Sequence, residues 1–422
     1  MTTVLQISSS ARHGGAGVAA RRLHCGLLEA GVASRMLTMD AERYCDFPGV
    51  RGARSFRERL GVKIRKNLEL HLPRLRYRRL RRSKELFSPG WFGGNLSSHL
   101  REMRPDIVHV HWTNHGQLSV EGLGQMPVPV VWTLHDMWPF TGGCHYSARC
   151  ERFHRQCGQC PQLGSSSQGD LSARLLARKI RAWRECGFHL IAPSQWMKLQ
   201  SRASALFRSN PVHVIPNGVD SEVFCPSDKR PLHMEFGLDP GKRYLAFVAM
   251  NAAADTRKGF RFAIEALRDV ALHGQWTDRV GLLVIGCNQN SLPSDLPLPA
   301  TALGVIRDEA TMAKAYAMSD VFLAPSLEDN LPNTVLESLA CGLPVVAFRV
   351  GGMPDMIEHQ VNGYLADPLE SSSLAEGIRW VLNQPDGGAD LRSAARRTVQ
   401  TRFSLERQVK AHIELYRSLI SS

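Results

Sequence analysis

Short apolar runs recur along the chain, each followed by polar punctuation and a helix-period stretch. In the first half they are Val4–Ile7, Arg35–Met39, Ile107–His111, Val128–Leu134 and Phe188–Ala192, with a helix predicted over Val18–Ala30. The turn residues Pro216, Asn217 and Gly218 close that series, and a second begins: Tyr244–Met250, Val280–Gly286, Val321–Ala324 and Leu343–Phe348. Strands that are apolar on both faces and alternate with helices predict parallel sheets covered on each side. An amphipathic helix is predicted over Leu405–Ser418, and there is no internal repeat or low-complexity tract. The 422 residues exceed one ordinary core, so two α/β, doubly wound Rossmann-like domains are expected, at 1–212 and 213–400, with 401–422 as a final helix.

Composition narrows this only in places. No apolar stretch reaches the roughly 18 residues a spanning helix needs. The opening MTTVLQISSS lacks a charged region followed by a hydrophobic one, and reads as a first strand rather than a secretory leader. The ten cysteines are therefore expected in a reducing compartment. Net charge is +13, and its location matters more than its size. The basic insertion from Arg51 to Lys84 holds fourteen Lys and Arg against two acids, Glu58 and Glu69. Phe56, Leu60, Ile64 and Leu68 recur every four residues through it, up to a break at Pro73. Such a stripe suits either an anionic membrane surface or packing on its own domain. Nucleic acid is not expected, since no recognition motif or interleaved aromatics accompany the charge.

The densest chemistry lies between Ala324 and Ile357. A strand runs into a polar turn, then a helix, a second apolar run and Gly351-Gly352. Backbone N–H groups at such a strand–loop–helix junction suit phosphate. Asp329 and Glu337, eight residues apart, accept hydrogen bonds only, which suits sugar hydroxyls. Phosphate and hydroxyls together describe a nucleotide-sugar. The segment resembles the donor-site signature of the GT-B glycosyltransferases of group 1, or family 4: two acids eight apart followed by A-x-G-x-P-V-V-A, here Ala340 to Ala347. The first acid is Asp where the family usually has Glu, and the neighbouring Glu328 is one residue out of register.

Other motifs join this resemblance. Gly14, Gly15 and Gly17 follow the first strand too distantly for a dinucleotide fingerprint, and suit instead the family's glycine loop over the donor diphosphate. His135 ends a predicted strand in WTLHDMW, as the family's strand-end histidine does. His109 and His111 share one side of their strand and are expected to line a cleft at most. Lys258, before Gly259, matches the cation that clamps the diphosphate. An Arg commonly found earlier is replaced by Met250, with Arg257 as its candidate substitute. Cys144, Cys150, Cys157 and Cys160 form C-x5-C-x6-C-x2-C, which fits a structural zinc, disulfides or free thiols. HDMWPFTGGC resembles a bacterial polysaccharide branch typified by colanic-acid transferases. Cys341 is expected to be plain buried packing.

The resemblance implies two domains facing across a cleft, braced by the last helix, with the donor on the second and the acceptor on the first. It implies a metal-independent enzyme that retains anomeric configuration, with His135, Asp329 and Lys258 as catalytic residues. Gly14, Gly15, Gly17, Arg257, Lys258, Asp329, Asn330 and Glu337 would bind the donor. Expected partners are a nucleoside diphosphate sugar, a lipid-linked saccharide and an anionic membrane. The setting would be exopolysaccharide or lipopolysaccharide synthesis, cytoplasmic and peripheral on the inner membrane face. Two rivals stand beside it: a GT-B sugar-nucleotide epimerase, and a basic membrane-binding protein with a degenerate cleft.

Overall fold

The computed structural model describes residues 2–41, 47–53, 55–83, 85–248, 256–272, 278–292 and 294–420. Two compact units result: Met1–Asn217 with Glu406–Ser422, and Gly218–Leu405. Met250, where the usual clamp Arg is missing, lies outside the described residues.

In the first unit the described strands are β1 (Thr3–Ile7), β2 (Ala33–Ala41), β3 (Val50–Ala53), β4 (Ile107–Val110), β5 (Val130–Thr133), β6 (His189–Ala192) and β7 (Val212–Val214). They form one parallel sheet in the order β3-β2-β1-β4-β5-β6-β7. β4 and β5 are buried along their whole length, as strands covered on both faces must be. β7 pairs with β6, Leu190 opposite Val212. Residues 213–217 therefore belong to the first sheet and its exit, and the units part at Asn217–Gly218 instead of 212–213. The final helix, Leu405–Ile420, belongs to the first unit, with Tyr416 and His412 buried beside His109.

The second unit holds β8 (Arg243–Val248), β9 (Val280–Ile285), β10 (Ala300–Gly304), β11 (Val321–Ala324), β12 (Val345–Phe348) and β13 (Gly363–Ala366). All are parallel, in the order β10-β9-β8-β11-β12-β13. Strand order reverses between β1 and β4 in one sheet, and between β8 and β11 in the other. Open sheets of this kind bind ligands at the carboxyl ends of the strands flanking that point.

Two helices depart from the sequence reading. Helix α1 spans Gly14–Glu29, so Gly14, Gly15 and Gly17 form its first turn, and the loop after β1 is residues 8–13. Gly17 packs there against the Ser10 carbonyl, too closely for any side chain. Helix α2 spans Phe56–Arg76 and opens on a capping box: Ser55 Oγ accepts from Glu58 N, and Glu58 Oε2 from Ser55 N, both at 3.1 Å. It runs through Pro73 to Arg76. Pro73 removes one bond to the carbonyl four residues back, yet the helix continues for a single further turn rather than ending there. The burial of α2 is inverted. Glu69 is buried, accepting from Gly90 N and Phe92 N at 3.1 and 2.8 Å, and Arg65 Nε donates to the Gly116 carbonyl at 3.0 Å. The apolar stripe faces outward, with Phe56 70%, Leu60 44% and Ile64 49% exposed. Among the described residues no helix is long and apolar enough to cross a membrane.

Candidate active site

In the second unit, residues 256–259 and the loop after β11 meet in one cluster. After β11, residues 325–332 form a loop before the helix Asn333–Ala340. Asp329 lies in that loop and is buried. Lys258 Nζ bonds Asp329 Oδ2 at 2.7 Å, and Arg257 Nη1 reaches the same oxygen at 3.2 Å and the Glu328 carbonyl at 2.9 Å. The Asn330 amide donates to Asp329 Oδ1 at 3.0 Å. Burial opposes the charge of Asp329, yet the ammonium of Lys258 and the guanidinium of Arg257 outweigh it and hold the carboxyl well below its ordinary range. Asp329 is thus a carboxylate and an obligate acceptor. Glu328 contributes its carbonyl to Arg257.

Backbone packing fixes this cluster. Leu327 N donates to the Arg257 carbonyl at 2.7 Å, pinning the two loops together. Gly259 has positive φ and presses on the Pro325 carbonyl, and Gly351, at φ +55°, presses on the Asp329 carbonyl. Any Cβ at either position would collide with that oxygen, so both must be glycine. Glu337 lies on the helix behind, buried, with Tyr316 Oη donating to its Oε2 at 3.2 Å. The structure thus brings Arg257, Lys258, Asp329 and Asn330 together, and sets Glu337 eight residues further on the adjoining helix.

In the first unit, His135 lies two residues past β5 and is half-buried. Asp136 anchors that turn: it accepts from Trp112 Nε1 at 2.8 Å and pairs with His145 Nδ1 at 2.6 Å. His135 Nε2 is 3.0 Å from Nδ1 of His111. His111 and His109 are not cleft-lining; both are buried. His109 bonds Tyr416 Oη at 2.6 Å and Thr133 Oγ1 at 2.8 Å. Their alternation with Val108 and Val110 was the one signal in the sequence, and it gave their side of the strand but not its burial. The first turn of α1 carries no side-chain cap and no acid.

Cys144, Cys150, Cys157 and Cys160 line one cavity with Phe87 and Phe153, all four as free thiols. Burial pushes Cys144 and Cys157 above the ordinary thiol range. Among the described residues, no three His, Cys, Asp or Glu side chains are arranged to hold a metal ion. Four thiolates on one cavity are the donor type that structural zinc takes. Cys341 is buried.

Residues 13–223 match the family described as Glycosyltransferase Family 4, and residues 242–384 match Glycosyl transferases group 1. The chain belongs to the group 1, family 4 glycosyltransferases. It is an enzyme of that class, and its paired seven- and six-stranded parallel sheets are the GT-B fold. The D-inositol 3-phosphate glycosyltransferase of Segniliparus rotundus is 32% identical over 335 residues, covering 75% of this chain and 67% of that protein. That relative is an inositol-phosphate enzyme, not a colanic-acid one. Among solved structures, sucrose-phosphate synthase from Thermosynechococcus elongatus superimposes with a TM-score of 0.69 at 17% identity, covering 100% of both chains. Anabaena HepE, solved with UDP-glucose, gives 0.66 at 17% identity, covering 99% of this glycosyltransferase and 100% of HepE.

Proposed function

We propose that this glycosyltransferase moves a sugar, with retained anomeric configuration, from a nucleoside diphosphate sugar to a lipid-linked saccharide in cell-surface polysaccharide synthesis. The observation that carries the donor half is the meeting of Lys258, Arg257 and Asp329 at the carboxyl ends of β8 and β11. Two cations there suit a diphosphate, and an obligate carboxylate suits sugar hydroxyls. The UDP-glucose bound by HepE, which shares the fold, supports the same donor class. Lys258 and Arg257 take the diphosphate, Asp329 and Asn330 the transferred sugar, and Glu337 the ribose hydroxyls. Gly14, Gly15 and Gly17 open α1, and the positive end of that helix favours phosphate. As the bond between the sugar carbon and the phosphate oxygen breaks, negative charge grows on the leaving diphosphate, and Lys258 and Arg257 stabilise it. The acceptor oxygen bonds that carbon on the same face, and its proton passes to a leaving phosphate oxygen. His135 hydrogen-bonds a substrate hydroxyl. No metal is assigned to catalysis.

The outward apolar stripe of α2, ringed by Arg and Lys, supports a peripheral site on an anionic membrane and so a lipid-linked acceptor. A second acceptor reading comes from the inositol-phosphate relative: a small phosphorylated polyol. At the four cysteines we propose structural zinc, with two disulfides and unliganded free thiols as the competing outcomes of metal analysis and non-reducing mass spectrometry.

Titrating UDP-, GDP- and ADP-sugars against thermal unfolding identifies the donor. Incubation with that donor and either acceptor class, with product read by NMR, then tests transfer. A retained anomeric product on a lipid-linked saccharide is expected. An inverted product would defeat the mechanism, transfer to a phosphorylated polyol would select the second acceptor, and epimerisation of donor alone would make the protein an epimerase. Sedimentation with anionic vesicles should be lost in a Leu60→Glu, Ile64→Glu double variant; unchanged binding would remove the membrane role.

A further inference from the structure

We propose that four side chains behind His135, namely His111, Gln6, Ser34 and His24, are positioning residues that fix its ring as the tautomer protonated on Nε2, so that Nδ1 is the accepting nitrogen of the ring. That His135 takes part in sugar transfer rests on the reaction above; the tautomer does not.

The chain of bonds starts at an atom that has no choice. The Pro48 carbonyl can only accept, so His24 Nε2, 2.7 Å away, carries a proton. In the neutral ring Nδ1 then accepts, and its partner at 2.8 Å is the Ser34 hydroxyl, which must donate. With its proton committed, Ser34 Oγ accepts from Gln6 Nε2 at 3.1 Å. That orients the Gln6 amide, whose Oε1 faces His111 Nε2 at 3.0 Å and makes it the donor. His111 Nδ1 is left to accept from His135 Nε2 at 3.0 Å. Every bond points the same way.

Reversing the Gln6 amide breaks the sequence. Ser34 would donate to Gln6, and His24 would face Ser34 with a nitrogen that must donate while its other nitrogen donates to Pro48. That makes a buried imidazolium, which burial disfavours. Gln6 and His24 are wholly buried and Ser34 and His111 are 3% exposed, so water does not relieve the constraint. Burial also lowers the proton affinity of His24, His111 and His135, in keeping with neutral rings throughout.

Neighbouring His109 has no such constraint. Its partners are the hydroxyls of Tyr416 and Thr133, each able to rotate between donor and acceptor. Only the row through His111 transmits a fixed direction. It runs across β2, β1 and the ends of β4 and β5, strands adjacent in the sheet, so the backbone sets its spacing.

The test is nitrogen NMR on the full-length chain labelled in histidine, at neutral pH. His135, assigned by its loss in His135→Ala, should show a protonated Nε2 and a bare Nδ1. Ser34→Ala should yield a mixture of tautomers, and Ser34→Thr, which keeps the hydroxyl, should restore one. In the transfer assay Ser34→Ala should lower kcat about tenfold, as for one lost hydrogen bond, with donor KM little changed. A wild-type His135 protonated on Nδ1 overturns the proposal whatever the variants do, as does a Ser34→Ala spectrum unchanged from wild type. If the spectra behave as expected while His135→Ala transfers sugar at the normal rate, the fixed tautomer stands and the catalytic role of His135 falls.

Discussion

The second unit gathers charge, with a carboxylate held between an ammonium and a guanidinium at the ends of two strands. The first unit does the opposite, stacking imidazoles in its interior with burial keeping them neutral. The contrast follows from what each can stabilise. Opposite charges offset one another's desolvation only in close contact, so the charged cluster brings two cations within reach of one carboxylate oxygen. Neutral rings need only complementary donors and acceptors, so they extend in a line through a sheet interior. One arrangement meets an anionic ligand, and the other sets the direction of a hydrogen bond.

The contrast is broken most severely by removing its cation. Lys258→Ala should lower kcat about 100- to 1,000-fold, the scale of a lost donor to a developing anion. A steady-state rate near wild type would show that the charged cluster is not the reacting centre. Next in size is Gly351→Ala, which drives a methyl into the Asp329 carbonyl at positive φ. It should cost about 2–4 kcal/mol in denaturant unfolding and weaken donor binding together with it.

Acid separates the two units. The buried histidines are neutral when folded, with His135 and His412 lowered to about 4, chiefly by burial. Unfolded, they bind protons below about pH 6.5. Their stabilisation is complete above that value and is lost as pH falls toward 4. Asp329 is also depressed when folded, so its contribution is present above the unfolded carboxyl value near pH 4 and lost only beneath it. Thermal unfolding followed by tryptophan fluorescence, dominated by Trp112, Trp132, Trp138 and Trp183 of the first unit, should shift down by about 5 °C or more between pH 7 and 5. A flat profile would mean that these rings are not neutral by burial. The smallest effect belongs to Tyr416→Phe. Loss of its bond to His109 should cost about 1 kcal/mol by chemical denaturation. A cost several times larger would show that the imidazole stack acts as one cooperative network.

What could be read from sequence follows from how far apart the partners are. Asp329, Glu337 and the glycines around them fall within one strand–loop–helix segment, where spacing carries geometry, and the central strands announce themselves by apolar runs. Gln6, Ser34, His24 and His111 meet across separations of up to 105 residues, and no local pattern connects them. The strands β3, β7, β10 and β13 carry Arg, His, Thr or Gly among their few residues, so no uninterrupted apolar run marks them. In α2 the period was visible but its direction was not: a four-residue apolar repeat ordinarily faces a core, whereas here Glu69 and Arg65 are tethered to the domain by backbone partners. The Gly14–Gly17 turn looked like a loop because glycine is a poor helix former, and packing against Ser10 overrides that preference.

The helix Leu405–Ile420 completes the core of the first unit, yet from Glu406 onward it is translated after every residue of the second. On the ribosome, the nascent first unit must wait with His109 uncovered on one side until Tyr416 emerges from the exit tunnel. Synthesis therefore imposes an order of maturation opposite to the order of the codons, the later-made Gly218–Leu405 unit being whole before the earlier one closes.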